Sequence, residues 1–147
     1  KGVFVRRSEE KAEVLITASG ALVEEALKAA DACSEHGICA DVYHLRFLKP
    51  INAEAFAEMA NSYSFVLLAE EGVLSGSVAA DLAAAVKSRG GNALAVGFAD
   101  RPLPQGSREE LLKAAGLSAS ELQSAIQAHS GKYAKSAVDS LRLKASP

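Results

Sequence analysis

Short apolar runs alternate with amphipathic stretches along most of the chain. Apolar runs rich in β-branched residues predict strands at residues 13–18, 38–45, 65–69 and 93–98. Apolar positions at helical spacing predict helices at about 21–35, 52–62 and 75–89, and two more that begin at Ser107 and Ser118. The alternation predicts right-handed βαβ units and therefore an α/β fold, a three-layer α/β/α domain with a mostly parallel sheet of about five strands.

Polar residues at the expected helix starts support these boundaries. Asn52 stands where an N-cap is expected. Ser107 is followed three residues later by Glu110, and Ser118 by Glu121, which is the spacing of a capping box. The run at 65–69 is apolar throughout, which is typical of a strand that is covered on both faces.

The predicted elements place the main domain at residues 13–130. Residues 1–12 contain Val3-Phe4-Val5, which is compatible with an edge strand and with a linker. Residues 131–147 are basic and weakly patterned, so we expect a C-terminal tail that is helical in part or poorly ordered. The sequence does not begin with methionine, and we expect it to be a piece of a longer chain.

Composition excludes several classes of protein. The chain has 147 residues, 49% of them hydrophobic, which is enough to bury the core of one domain. A net charge of -2, with Lys and Arg spread along the sequence, indicates no nucleic-acid or membrane partner. No apolar run reaches the roughly 20 residues that span a bilayer. Cys33 and Cys39 match no metal-binding spacing, and we expect both to be reduced thiols of a cytoplasmic protein.

In a parallel sheet, functional groups concentrate outside the carboxyl ends of the strands. No GxGxxG, GxxxxGK[ST] or GxSxG stretch is present, so a phosphate-cradling loop and a nucleophile elbow are not expected. The three histidines are far apart in sequence and form no metal-ligand cluster. We expect His36 and His129 to act as caps near helix ends and His44 to be structural.

Arg46 is the sharpest candidate for a binding residue. It follows the strand at 38–45, where the carboxyl edge of the sheet would lie, and its guanidinium offers a planar fork that matches phosphate or carboxylate. A ligand contact and a structural ion pair with Glu70 or Asp41 are both compatible with the spacing. Glu70 and Glu71 would point to opposite faces of a strand, which favours helix-cap or ion-pair roles over shared acid–base chemistry.

Four stretches, taken in order, carry a resemblance to a known family. They are KGVFVRRSEEKAEVLITASGALVEEALKAA, HLRFLKPIN, LLAEEGVLSG and GFADRPLPQGSREELLKAAGLSASELQSAI. With them, the chain resembles the C-terminal domain of thiamine-diphosphate enzymes of the transketolase superfamily and, within it, that of the 1-deoxy-D-xylulose 5-phosphate synthases. The resemblance covers nearly the whole chain, and RFLKP and the PQGSREELL…GLS segment are its specific parts.

The resemblance implies a transferase that condenses pyruvate with glyceraldehyde 3-phosphate, releases CO₂ and serves isoprenoid precursor synthesis. It implies that thiamine diphosphate and Mg²⁺ are bound by two preceding domains that are absent from this chain. The chain alone is therefore expected to hold no catalytic, cofactor-binding or metal-binding residue and to be inactive. The expected partners are those preceding domains, a small phosphorylated sugar and a second copy in a homodimer.

The resemblance also implies roles for individual residues. Arg46 matches the family arginine that binds the phosphate of the aldehyde acceptor. Lys49 and Pro50 match the turn that fixes the end of that strand, and the run Glu70-Glu71-Gly72 matches a turn near the domain and dimer interfaces.

Three positions depart from the family pattern. Gly72 stands where the family has Asn, Ser75-Gly76-Ser77 replaces a helix start rich in glycine, and His44 stands where Asp is common. These departures leave other hypotheses open. The alternatives are a transketolase, the β subunit of a 2-oxo acid dehydrogenase, or a stand-alone flavodoxin-like binding or assembly module.

Overall fold

The computed structural model describes residues 2–130. Five strands form one sheet in the order β1-β3-β2-β4-β5. They are β1 (Val3–Arg6), β2 (Val14–Ala18), β3 (Ala40–His44), β4 (Phe65–Val73) and β5 (Ala93–Phe98). Strands β2, β3, β4 and β5 pair in parallel, and β1 runs antiparallel to β3 at one edge. The predicted mostly parallel sheet is confirmed.

Helices cover both faces of this sheet. They are α1 (Leu22–Ser34), α2 (Ala53–Ala60), α3 (Val78–Ser88), α4 (Arg108–Ala114) and α5 (Ala119–His129). Alternate side chains of the strands face opposite ways, so the sheet separates two apolar cores. In β2, Ile16 packs with α1, α4 and α5, whereas Leu15 packs with α2 and α3. The three-layer α/β/α architecture is therefore confirmed.

Two of the predicted helix caps are formed, and Ser77 supplies a further one. The side chains of Asn52, Ser77 and Ser107 each accept a hydrogen bond from the backbone N–H three residues later, and Glu110 completes a capping box with Ser107. The capping box predicted at Ser118 is wrong. The hydroxyl of Ser118 accepts no hydrogen bond from the helix backbone and lies 3.2 Å from the hydroxyl of Ser120. The N–H of Ala119, at the start of α5, donates to a carboxylate of Glu25 in α1 at 2.7 Å.

Two predicted boundaries change in the structure. Residues 3–6 form an edge strand rather than a linker, because they pair with β3. Strand β4 was predicted to end at residue 69 but runs to Val73, through Glu70, Glu71 and Gly72. It continues because Val73 pairs with Phe98 beyond an irregularity in the β4–β5 ladder, and the N–H of Leu74 donates to the carbonyl of Phe98 at 2.9 Å.

The structure also tests what the sequence predicted for the cysteines and for two of the histidines. Both cysteines are free thiols, as predicted, and burial raises the pKa of Cys33 to about 11. The rings of His36 and His129 each lie within hydrogen-bond distance of a carbonyl four residues earlier, near a helix end. The tail predicted at 131–147 lies outside the described residues. Between residues 2 and 130, no helix is long and apolar enough to cross a bilayer.

Candidate functional site

The carboxyl edge of the sheet gathers three chain segments. Ala18 and His44 are aligned at the ends of β2 and β3, and the N–H of Leu45 donates to the carbonyl of Ala18 at 2.9 Å. Because β1 is antiparallel, its first residue, Val3, also lies beside His44. Arg46, which follows the end of β3, is therefore at the edge where parallel α/β sheets usually bind ligands.

The side chain of Arg46 is exposed and open to a ligand. Its guanidinium carbon lies 6.0 Å from the centre of the Phe47 ring, a distant cation–π contact. Among the described residues, no acidic side chain forms an ion pair with it. The structural ion pair that the spacing allowed is absent from this part of the chain, so the guanidinium keeps its five N–H donors available.

Asp41, one of the two acids considered as a partner of Arg46, is engaged elsewhere. It is buried near the amino end of β3, where it accepts hydrogen bonds from the N–H of Ser8 and from the hydroxyl of Tyr63, each at 2.8 Å. Burial and the hydrogen bond to Asp41 raise the pKa of Tyr63 above its ordinary value. Asp41 thus joins three segments of the chain at the edge opposite Arg46.

Glu70, the other candidate partner, caps a helix. Its carboxylate accepts a hydrogen bond from the N–H of Ala79 in the first turn of α3 at 2.8 Å. Together with the hydroxyl of Ser77, which accepts from Ala80 at 3.0 Å, it occupies the N-terminal donors of that helix. The start of α3 is therefore not an open anion site.

Glu71 points the other way and pairs with Arg108, the first residue of α4. Two hydrogen bonds, of 2.9 and 2.7 Å, join the guanidinium to both carboxylate oxygens. Glu70 and Glu71 thus form a helix-cap contact and an ion pair, on opposite sides of β4. Sequence analysis did not find Arg108, because 37 positions separate it from Glu71 and no local pattern marks the pair.

Gly72 and Gly97 face each other across the ladder irregularity between β4 and β5. A Cβ on Gly97 would lie 2.8 Å from the carbonyl oxygen of Gly72, which is closer than real side chains approach. A Cβ on Gly72 would meet nothing nearer than 3.7 Å. Residue 72 therefore has room for a side chain, so the space around it does not require glycine in place of Asn. Residue 97 does require glycine, although no sequence pattern marks it.

Lys49 and Pro50 lie in the turn between β3 and α2. Both are exposed, and the peptide bond that joins them is cis. The turn brings the chain to Asn52, which caps α2 by accepting a hydrogen bond from the N–H of Ala55 at 2.9 Å. It also forms one wall of an open apolar groove of about 550 Å³ beside β3 and α2.

Metal-ligating side chains are scattered over the part of the chain that the structure describes. Between residues 2 and 130, no group of three or more His, Cys, Asp and Glu side chains could hold a metal ion. At the carboxyl edge, this part of the chain offers the open guanidinium of Arg46 next to apolar surface.

Known sequences are similar to this chain over most of its length. The sequence model of the family described as "Transketolase, C-terminal domain" matches residues 4–122. The 1-deoxy-D-xylulose-5-phosphate synthase of Treponema pallidum strain Nichols is 36% identical over 121 residues, which cover 81% of this chain and 19% of that enzyme. That of Gloeobacter violaceus is 34% identical over 118 residues, covering 78% of this chain and 18% of the enzyme. The chain thus spans about a fifth of the length of the curated relatives it matches.

Solved structures show the same architecture. A split-gene transketolase, solved as an inactive β4 tetramer, superposes with a TM-score of 0.76 at 28% identity, over 88% of this chain and 42% of that one. The transketolase of Campylobacter jejuni superposes with a TM-score of 0.61 at 19% identity, over 86% of this chain and 18% of that one, which shows likeness of fold alone.

These matches confirm the resemblance carried by RFLKP and the PQGS segment. The family match extends from β1 to the first turn of α5, which includes the sheet edge that carries Arg46. The chain belongs to the transketolase C-terminal domain family.

Proposed function

We propose that this chain is the C-terminal domain of a thiamine-diphosphate-dependent 1-deoxy-D-xylulose 5-phosphate synthase, which condenses pyruvate with glyceraldehyde 3-phosphate and releases CO₂. The 36% identity to a synthase of that name supports the activity. The 19% share of that enzyme's length supports a position in a much longer polypeptide. The domain would contribute acceptor binding and subunit contacts, and other parts of the enzyme would carry the catalytic groups.

Arg46 is the residue proposed to bind the phosphate of the acceptor. The observation that carries this role is its open guanidinium at the carboxyl edge, without an ion-pair partner among residues 2–130. Asp41 and Glu70, the acids that could have neutralised it, bind Tyr63 and the first turn of α3 instead. A guanidinium in this state can form two charge-assisted hydrogen bonds with one phosphate group.

The test is acceptor kinetics of Arg46→Ala in the full-length enzyme. Loss of a charge-assisted contact costs about 1.5–3 kcal/mol, so the KM for glyceraldehyde 3-phosphate should rise by roughly 10- to 150-fold while the KM for pyruvate stays the same. With unphosphorylated glyceraldehyde, the wild type and the variant should behave alike. Arg89→Ala is the matched control, because Arg89 is also an exposed arginine and lies at the end of α3, at the opposite edge of the sheet.

An unchanged KM for the phosphorylated acceptor in the Arg46 variant would contradict the phosphate role. Arg46→Lys separates the effect of charge from that of bidentate hydrogen bonding, because lysine keeps the charge but cannot form two parallel hydrogen bonds with one phosphate. Its KM should fall between those of the wild type and of Arg46→Ala.

Transketolase is the second candidate function. The superposition on a split-gene transketolase favours it. Transketolases and synthases differ in donor, so full-length enzyme supplied with pyruvate or with a ketose phosphate distinguishes the two. Consumption of pyruvate with release of CO₂ supports the synthase.

The cofactor is proposed to be thiamine diphosphate with Mg²⁺, bound by preceding domains of the same polypeptide. When bound there, it would supply the carbanion chemistry that joins donor to acceptor. The 147-residue chain by itself is then expected to be inactive. Incubation of this chain with pyruvate, glyceraldehyde 3-phosphate, thiamine diphosphate and Mg²⁺ should release no CO₂, and release would contradict the proposed division of roles.

Self-association is the second contribution that we propose for this domain, with a homodimer as the assembly. The similar split-gene transketolase is a tetramer of one subunit type, which supports association through this half of the enzyme. On the family resemblance, we place the contact near Glu70-Glu71-Gly72, whereas Lys49-Pro50 is the turn that fixes the end of β3. Sedimentation velocity of the full-length enzyme should show a dimer, and a monomer at micromolar concentration would contradict this assembly.

A further inference from the structure

An apolar groove lies beside the edge that carries Arg46. Its floor and walls come from β3, from the turn after it and from α2, and its volume is about 550 Å³. Among its apolar side chains, Phe47 is 58% exposed, although aromatic rings of this size usually find cover. The residues that line it include Gly2, Tyr43, Phe47, Ile51, Phe56 and Met59.

The first described residue forms part of this groove. Gly2 lies against the ring of Tyr43, so close that a Cβ on it would clash with a ring carbon. Strand β1 then runs away from the carboxyl edge, because Val3 pairs with His44 and Phe4 with Tyr43 in an antiparallel register. The polypeptide therefore enters the domain through the wall of the groove, at the same edge as Arg46.

The end of the described chain lies elsewhere. The ring of His129, at the end of α5, stacks on that of Phe65 with 5.0 Å between ring centres. Phe65 is the first residue of β4, so α5 ends at the amino edge of the sheet. A segment that follows Ser130 thus starts on the opposite edge from the groove, whereas a segment that precedes Gly2 starts inside it.

We infer that the groove is the docking site for the polypeptide segment that immediately precedes Gly2. This inference rests on the proposed function, because it requires that preceding domains join the chain at this point. The bound segment would be extended and would place at least one apolar side chain against Phe47, Met59 and Phe56. Docking would fix the orientation of the preceding domains relative to the carboxyl edge, and so to Arg46.

The physical gain is the removal of apolar surface from water. Phe47, Ile51 and Met59 are exposed or half-buried in residues 2–130, and covering them is favourable by about 25 cal/mol for each Å². A tethered segment loses little translational entropy on reaching the groove, because its effective concentration there is high. A free peptide or small apolar molecule has no such advantage.

Oxidation of Met59 in the longer protein tests the inference. Met59 is the single methionine of residues 1–147, and peptide mapping separates it from methionines elsewhere. Hydrogen peroxide should convert it to the sulfoxide slowly when the segment covers the groove. Phe47→Ser removes the exposed ring that forms part of the groove wall. In this variant, Met59 should oxidise several-fold faster than in the wild type. Limited proteolysis should then also cut the segment that precedes Gly2.

Leu103→Ser is the matched control. Leu103 is 50% exposed, close to the value of Phe47, but it lies in the loop before α4 and does not line the groove. This variant should leave both the oxidation rate of Met59 and the cleavage pattern unchanged. Because neither side chain belongs to the buried core, circular dichroism should show both variants folded.

Three results would overturn the inference. One is a wild-type protein in which Met59 oxidises as fast as in Phe47→Ser. Another is protection of Met59 that depends on protein concentration, which would assign the groove to a second copy. The third is protection that persists after the preceding segment is replaced by a Gly/Ser linker. Release of CO₂ from pyruvate is measured on the same samples, so a failure of the proposed function is seen separately from a failure of docking.

Discussion

Glu71 holds Arg108, the residue that directly follows the exposed loop at residues 99–107, through two hydrogen bonds of 2.9 and 2.7 Å. The pair joins the distal part of β4 to the first residue of α4. The carboxylate raises the pKa of Arg108 further above its ordinary range. A cation at a helix N-terminus is unfavourable by itself, and the Glu71 carboxylate offsets this repulsion.

Glu71→Gln should loosen the start of α4 with little effect on global stability. An exposed ion pair contributes about 0–1 kcal/mol, so the free energy of unfolding in urea should fall by no more than that. Amide hydrogen exchange at residues 99–110 should become faster, because the loop loses its anchor. Glu109→Gln is the control, since Glu109 is a neighbouring exposed carboxylate that forms no ion pair among the described residues. Unchanged exchange in Glu71→Gln would show that the capping box at Ser107 anchors the loop alone.

Gly97→Ala should destabilise the fold at the β4–β5 irregularity. The added methyl group would lie 2.8 Å from the carbonyl oxygen of Gly72 and 3.2 Å from that of Glu70, and backbone atoms have little freedom to move. Overpacking of this kind costs about 1–3 kcal/mol, which urea unfolding measures as a lower midpoint.

Gly72→Ala and Gly72→Asn provide the matched comparison. The nearest atom to a Cβ at residue 72 is a carboxylate oxygen of Glu70 at 3.7 Å, an ordinary contact. Both variants should stay within about 0.5 kcal/mol of the wild type. If Gly97→Ala unfolded at the same urea midpoint as Gly72→Ala, the result would contradict the close approach of β4 to Gly97.

Tyr63→Phe should lower the free energy of unfolding at neutral pH. It should also make that free energy fall less steeply as the pH rises into the alkaline range. Removal of the hydroxyl leaves one oxygen of the buried Asp41 without this donor, at a cost of about 1–3 kcal/mol. The folded state raises the pKa of Tyr63, so it binds the phenolic proton more tightly than the unfolded state. The stability due to this group is therefore present below the unfolded pKa of about 10 and is lost as the pH rises above it.

Urea unfolding of wild type and variant between pH 7 and pH 11 measures this difference. Tyr43→Phe serves as the control, because Tyr43 is half-buried and its hydroxyl forms no hydrogen bond within residues 2–130. The gap between wild type and Tyr63→Phe should narrow with rising pH. A constant gap across the range would exclude the raised pKa as its cause.

Helix caps show where local reasoning is sufficient. Ser107 and Glu110 are three residues apart, so their reciprocal contact follows from the sequence once a helix begins there. Ser118 and Glu121 have the same spacing, yet the first N–H of α5 donates to Glu25, which lies 94 positions away. A local pattern cannot anticipate this contact, because packing of α5 on α1 brings Glu25 into place.

The extent of β4 shows the same limit. The apolar run at 65–69 marks the buried part of the strand, but residues 70–73 are mostly polar or small and carry no strand pattern. They are extended because β5 pairs with Val73 beyond the irregularity. That pairing requires Gly97 opposite Gly72, a coincidence that is visible only when both strands are in place.

The sequence by itself determined the order of strands and helices, the parallel sheet and the position of Arg46 at a strand's carboxyl end, because hydrophobic periodicity and capping act over a few residues. Only the tertiary structure decided which charges are paired. Asp41 could have neutralised Arg46, but the fold places it at the far edge with Tyr63 and Ser8. Glu70 could have done the same, but it caps α3. Ion pairing depends on distances between segments that are remote along the chain, and these distances exist only after the layers have packed.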